Sequence, residues 1–179
     1  MDKENRFDLE DKGFFFIFGD INDCVSEDAI RFILEKNMSS NLDKLTLIIS
    51  SVGGNVADAF AIIDTIKCSK IPVNTVGLGQ VASSALMIFL SGSERILTPN
   101  TSVLSHQFFW GSFGKEHELF AVQKEIDLTS GRILNHYKDC TNLSEEKIKN
   151  LLLPSHDVWL SAQEALEYGV CDKIVTSVI

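Results

Sequence analysis

The residues able to do chemistry gather at two glycine-bearing junctions. The first, Gly79-Gln80-Val81-Ala82-Ser83-Ser84, lies between a β-type run and a short apolar helical segment. A serine at a strand-to-helix turn presents its hydroxyl at the carboxyl end of a sheet, near the partial positive charge of a helix N-terminus. There it can act as a nucleophile with an oxyanion hole beside it. Ordinary capping of the helix by Ser83 or Ser84 is the structural alternative. The second junction, Ser51-Val52-Gly53-Gly54, follows the run Leu45 to Ile49. Glycines there permit positive φ and let a ligand approach backbone N–H groups, although a plain βα turn uses the same residue types. It is no phosphate loop, because the Walker pattern and its lysine are missing.

A serine nucleophile needs a base, and the base needs an orienting group. The histidines are His106, His117, His136 and His156. His106 ends a predicted strand and can reach the sheet edge that holds Ser83; a hydrogen-bonded structural histidine fits the same place. His117 and His136 fall on a long helical stretch and are expected to be solvated. Asp157 lies in a predicted loop after Pro154, where an aspartate ordinarily makes a local turn. The cysteines Cys24, Cys68, Cys140 and Cys171 form no Cys-x-x-Cys pair, so zinc and dithiol readings fail on spacing. They are expected to be buried, reduced thiols in a cytosolic setting, acting as small hydrophobes.

The elements that must position these residues follow from composition and pattern. A chain of 179 residues favours one domain. With 25 acidic against 16 basic residues and a net charge of -9, nucleic-acid binding loses weight. The longest apolar run, Ala85 to Leu90, falls far short of the ~20 residues of a spanning helix. Met1 to Lys12 is polar, has no signal-peptide core and is expected to be a flexible tail, with residues 13–179 as one domain. Phe14 to Phe18, Leu45 to Ile49 and Val73 to Val76 read as strands, the first as a strand buried on both faces. Arg95 to Leu97, Ser102 to His106 and Ile174 to Val178 read as further strands. Helical spacing follows at Ala29 to Leu34, Ala59 to Ile66 and Lys115 to Lys138. Ser144 and Ser161 read as helix caps, the latter in a capping box with Glu164. Alternating β and α elements predict an α/β fold with a parallel sheet and right-handed crossovers, from which the long helix projects.

In order and spacing these motifs resemble the proteolytic subunits of the Clp protease (ClpP), serine peptidases on a crotonase-like fold. The resemblance runs from about Phe14 to Ile179. Besides the two glycine junctions it rests on Pro99-Asn100, His106-Gln107, Asp157 to Ala162 and Glu164 to Asp172. It implies repeated ββα-type units and a projecting handle over about residues 108–138. It implies a triad with Ser83 as nucleophile, His106 as general base and Asp157 orienting it, and an oxyanion hole from the N–H groups of Gly54 and Ser84. Peptide would bind as an added strand near Gly53 to Val56 and after His106, with Phe109 near the S1 site. It implies no metal or nucleotide cofactor, a cytoplasmic setting, heptameric rings stacked singly or in pairs, and a AAA+ unfoldase or other ClpP-type subunits as partners.

The chain also departs from the family pattern. Val52 replaces the proline common before the two glycines, Ser84 the usual methionine, and Ala85 a usual glycine. Ser155 and His156 stand where acidic and arginine residues pair between rings. Thr46, Ile48 and Ile96 replace aromatic residues of the ATPase docking pocket, so weak engagement of a standard Clp ATPase is expected. The changes around Ser84 raise the alternative of a non-catalytic subunit that modulates active homologues. A third reading, an acyl-CoA enzyme on the related fold, lacks pocket carboxylates beside Gly54.

Overall fold

The computed structural model describes residues 9–39 and 41–177. Its elements in chain order are β1 (Phe14–Ile21), α1 (Asp23–Ser39), β2 (Leu45–Gly54), α2 (Val56–Cys68), β3 (Val73–Ala82), α3 (Ser84–Leu90), β4 (Arg95–Leu97), β5 (Ser102–Ser105), α4 (Glu116–Thr141), α5 (Glu145–Leu151), β6 (Val158–Ser161), α6 (Ala162–Glu167) and β7 (Lys173–Ile174). The sheet runs β1-β2-β3-β4-β7, all parallel, and β3 also pairs with β5. β6 joins β5 antiparallel, so the expected parallel sheet acquires one antiparallel strand.

The apolar pattern explains the layers. Leu45, Leu47, Ile48 and Ile49 of β2 are all buried, because this central strand is covered on both faces. Ala59, Ile62, Ile63 and Ile66 recur at helical spacing and bury one face of α2. Each such isoleucine contributes roughly 1.5–3 kcal/mol by leaving water. Asn55 starts this helix by accepting the N–H groups of Ala57 and Asp58. All residues of α3 are buried, so the short helix behind Ser83 is held by packing rather than by length.

The sheet bends where the site lies. β3 gives Thr75–Gly77 to β4 and Gln80–Ala82 to β5. Between these halves its register against β2 shifts, as does β1 against β2. Gly79 at φ 63 and Gly19 at φ 78 sit at these irregularities, in backbone that side chains rarely adopt. Such bulges re-aim strand ends, and here they carry the ends of β2, β3 and β5 together.

Several expectations need correction. β1 is an edge strand with Phe16 and Phe18 exposed, not a strand buried on both faces. The long helix starts at Glu116 and extends to Thr141, where Asn142 in the left-handed region ends it. Its first half is largely solvated, while Thr129, Ile133, His136, Tyr137 and Thr141 are buried, so it projects as expected. His136 is buried rather than solvated, and Cys24 and Cys68, near the ends of α1 and α2, are exposed rather than buried. The last strand shrinks to Lys173–Ile174, and Val178 lies outside the described residues. Of the expected tail, residues 1–8 lie outside the described residues, and Glu10–Lys12 form a turn of 3-10 helix. β6 went unrecognised before its capped helix, because Val158 to Leu160 is too short to show a period.

Candidate active site

Ser83 occupies the turn between β3 and α3 at φ 56 and ψ -126. This is strained backbone for a residue with a side chain. It is imposed from both sides. β3 pairs with β5 up to Ala82, and the N–H of Ser83 then donates to the carbonyl of Leu104 at 2.9 Å. Immediately afterwards the chain must enter the buried helix α3. Ser83 precedes that helix, yet its hydroxyl caps nothing. It lies instead 2.8 Å from Nε2 of His106. β5 therefore does two jobs: it fixes the serine's backbone through Leu104 and delivers the histidine two residues later.

The position of His106 is fixed in turn by Ser105. This serine is fully buried, donates to the carbonyl of Leu152 at 2.5 Å, and shares a 3.0 Å hydrogen bond with the hydroxyl of Tyr137. Burial pushes the Tyr137 hydroxyl up to about 12, so it stays protonated as part of this latch.

The paired glycines close the site from the β2 side. A Cβ on Gly53, whose φ is +94, would lie 2.7 Å from both the Ala82 carbonyl oxygen and Cβ of Ser83. A Cβ on Gly54 would meet the Ile21 carbonyl oxygen at 2.2 Å. Space alone thus demands glycine at both positions. The buried Ser51 holds the turn by accepting the N–H of Gly53 at 3.0 Å. The N–H of Ser84, at the first position of α3, has no carbonyl within its own helix to reach, and Gly53 packs against it. The Ser84 side chain is buried, and among the described residues its Oγ makes no hydrogen bond.

Asp157 lies alongside His106 without being engaged. The antiparallel register pairs Ser105 with Val158, so His106 and Asp157 are the next residues along the same ladder. The carboxylate is nevertheless exposed, and among the described residues it makes no hydrogen bond or ion pair. Ser83 and His106 are brought together; Asp157 is brought alongside.

The expected substrate-binding residues divide. Val56 and Phe109, with Gly54, belong to the wall of a cavity of about 310 Å³, while Gly53 abuts Ser83 instead. Phe109 is nearly fully exposed. The supporting roles of Ser51, Leu104 and Ser105 were not legible in the sequence. Ser51 stood beside the glycines as a cue, but the other two act through long-range pairs that no local pattern encodes. Among the described residues no cluster of metal-ligating side chains occurs, and no helix is long and apolar enough to cross a membrane.

Comparison with known proteins gives a concordant result. The family model described as Clp protease matches residues 4–178. The ATP-dependent Clp protease proteolytic subunit 2 of Treponema denticola is 35% identical over 158 residues, covering 87% of this chain and 78% of that protein. The proteolytic subunit 1 of Chlamydia muridarum is 31% identical over 173 residues, covering 94% and 89%. A solved structure of a ClpP1 point mutant from Listeria monocytogenes superposes with a TM-score of 0.82 at 34% identity, covering 95% of each chain. The chain belongs to the Clp protease family and has the crotonase-like fold of ClpP.

Proposed function

We propose that this chain is a serine endopeptidase of the Clp type, with residues 13–179 forming one peptidase unit. The observation that carries the reading is the 2.8 Å contact between Ser83 Oγ and His106 Nε2 at a strained strand-to-helix turn. Oγ of Ser83 attacks the peptide carbonyl carbon while its proton passes to Nε2 of His106. The N–H groups of Gly54 and Ser84 receive the developing oxyanion, each worth about 3 kcal/mol in the transition state. His106 then returns the proton to the leaving amine, and water releases the acyl group by the reverse steps. Asp157 accepts the N–H at Nδ1 once its carboxylate turns toward His106, and so holds the productive tautomer.

Substrate peptides would lie along Gly53 to Val56 and the segment after His106, with the S1 side chain in the cavity beside Gly54. Backbone pairing of that kind suits unfolded polypeptides. Assembly into heptameric rings, with α4 as the handle between them, follows the family pattern, and a cytoplasmic setting goes with it. The expected weak engagement of an ATPase rests on Thr46, Ile48 and Ile96, although Phe16, paired with Ile48, restores an exposed aromatic ring to that face.

Purified protein should hydrolyse a short fluorogenic peptide, and Ser83→Ala should abolish the activity. Equal turnover by the variant would contradict the assignment. The disengaged Asp157 favours a second reading, a non-catalytic subunit that assembles with active homologues. Under that reading the pure protein cleaves nothing, yet changes the rate of a homologue mixed with it.

A further inference from the structure

His106 stands just past the end of two ladders. β5 pairs with β3 through Leu104 and with β6 through Ser105. The backbone that carries the imidazole is therefore fixed by whatever anchors this strand end. Two side chains that flank His106 are tied to one place. Ser105 donates its hydroxyl proton to the carbonyl of Leu152, and Nε2 of Gln107 donates to the carbonyl of Leu153 at 3.1 Å. Both carbonyls lie at the end of α5, where the N–H groups of Leu152 and Leu153 close the last turn on Ile148. Carbonyls at that position have no partner within the helix and accept side chains instead.

The two ties differ in strength. Gln107 is exposed, so water competes for its bond. Ser105 is fully buried, as are Leu152 and Tyr137 around it. A serine hydroxyl has one proton, and a carbonyl can only accept. With the Ser105 proton given to Leu152, the 3.0 Å bond to Ser105 Oγ is donated by Tyr137. The chain is thus ordered: Tyr137 O–H to Ser105 Oγ, then Ser105 O–H to the Leu152 carbonyl. A hydroxyl that both donates and accepts inside the core is held in one rotamer. Tyr137 belongs to α4, so a helix remote in sequence fixes the residue next to His106. The imidazole must keep Nε2 at 2.8 Å from Ser83 Oγ, and a shift of about 1 Å there is enough to cost about 10²-fold in rate.

We infer that Tyr137, acting through Ser105, is a positioning residue for His106, and that this buried chain sets the turnover of the site rather than its affinity for peptide. The inference rests on the peptidase reading. Its test is kcat and KM for a fluorogenic peptide, with kcat expressed per Ser83 titrated to completion by a fluorophosphonate, so that misfolded protein is not counted. Tyr137→Phe keeps the ring and deletes the donor. It should lower kcat per titrated site by about threefold to tenfold. Ser105→Ala removes both bonds and should lower it by about 30-fold to 100-fold, with KM changed by less than about twofold in either variant. Adding Tyr137→Phe to Ser105→Ala should cost no further turnover, because the donor has already lost its acceptor. If Ser105→Ala fails to fold, Tyr137→Phe decides alone. A kcat per titrated site equal to wild type in Tyr137→Phe, or a loss carried by KM, overturns the inference and leaves the peptidase standing. A wild-type protein that neither labels nor cleaves overturns the peptidase reading and the inference with it.

Discussion

The two sides of His106 are built differently. Toward Ser83 the site is knitted by backbone: β3 pairs with β5, Ser83 N–H meets Leu104, and a buried Ser105 anchors the strand end. Toward Asp157 there is only the end of β6, preceded by a segment whose residues 155–157 are all exposed. One side therefore holds a hydrogen bond before substrate arrives, whereas the other holds a register without a bond. Ser83 and His106 are set by the sheet. The Asp157 carboxylate, the proposed orienting group, is left to a loop.

The sharpest way to break this comparison is to remove the prebuilt half. His106→Ala should reduce peptide hydrolysis by about 10⁴-fold, measured as kcat, because among the described residues no other base contacts Ser83. Next in size is Gly53→Ala. With a Cβ only 2.7 Å from Ala82 O and Ser83 Cβ, and φ at +94, the turn that aims Ser83 must shift. A loss of about 10²-fold in kcat is expected, with destabilisation of about 1–3 kcal/mol in thermal unfolding. On the looser side, Asp157→Asn should cost less than His106→Ala, about tenfold to a hundredfold, where a permanently engaged aspartate would cost about 10⁴-fold. A loss equal to that of His106→Ala would show that the carboxylate is bonded throughout.

The smallest effect concerns the support beneath α3. His136 is buried, and its Nε2 meets the Met87 carbonyl at 2.8 Å. Burial lowers its pKa from the ordinary 6.5, despite the opposing bond to Met87. Below pH 6.5 the unfolded chain takes up the proton before the folded one does. Stability is therefore full above the ordinary value and is lost as pH falls toward the lowered one. The melting temperature should drop between pH 7 and pH 5, and drop less in His136→Gln. An equal drop in both would remove His136 as the cause.

The legible parts of the molecule were those with local causes. The glycine pair, the capping box at Ser161 with Glu164, and the apolar stripe of α2 each follow from spacing over a few residues. The meeting of Ser83 and His106 came from family resemblance, and its physical cause is non-local: residues 23 apart are joined because β5 lies beside the end of β3. His136 was misread for a related reason. Helical spacing defines faces but does not say which face meets α3. β1 was misread because an edge strand and a central strand share the same apolar run until the pairing order is known. The structure brings Asp157 alongside His106, but no motif reports whether a carboxylate is turned toward a neighbouring imidazole.

The central claim is that Ser83 is an activated nucleophile in this chain. Treating the assembled protein with a fluorophosphonate and mapping the adduct by mass spectrometry tests it directly. The account predicts a single phosphonylated residue, Ser83, and loss of labelling in His106→Ala. An assembled protein left unlabelled at Ser83, or labelled equally well without His106, would contradict it.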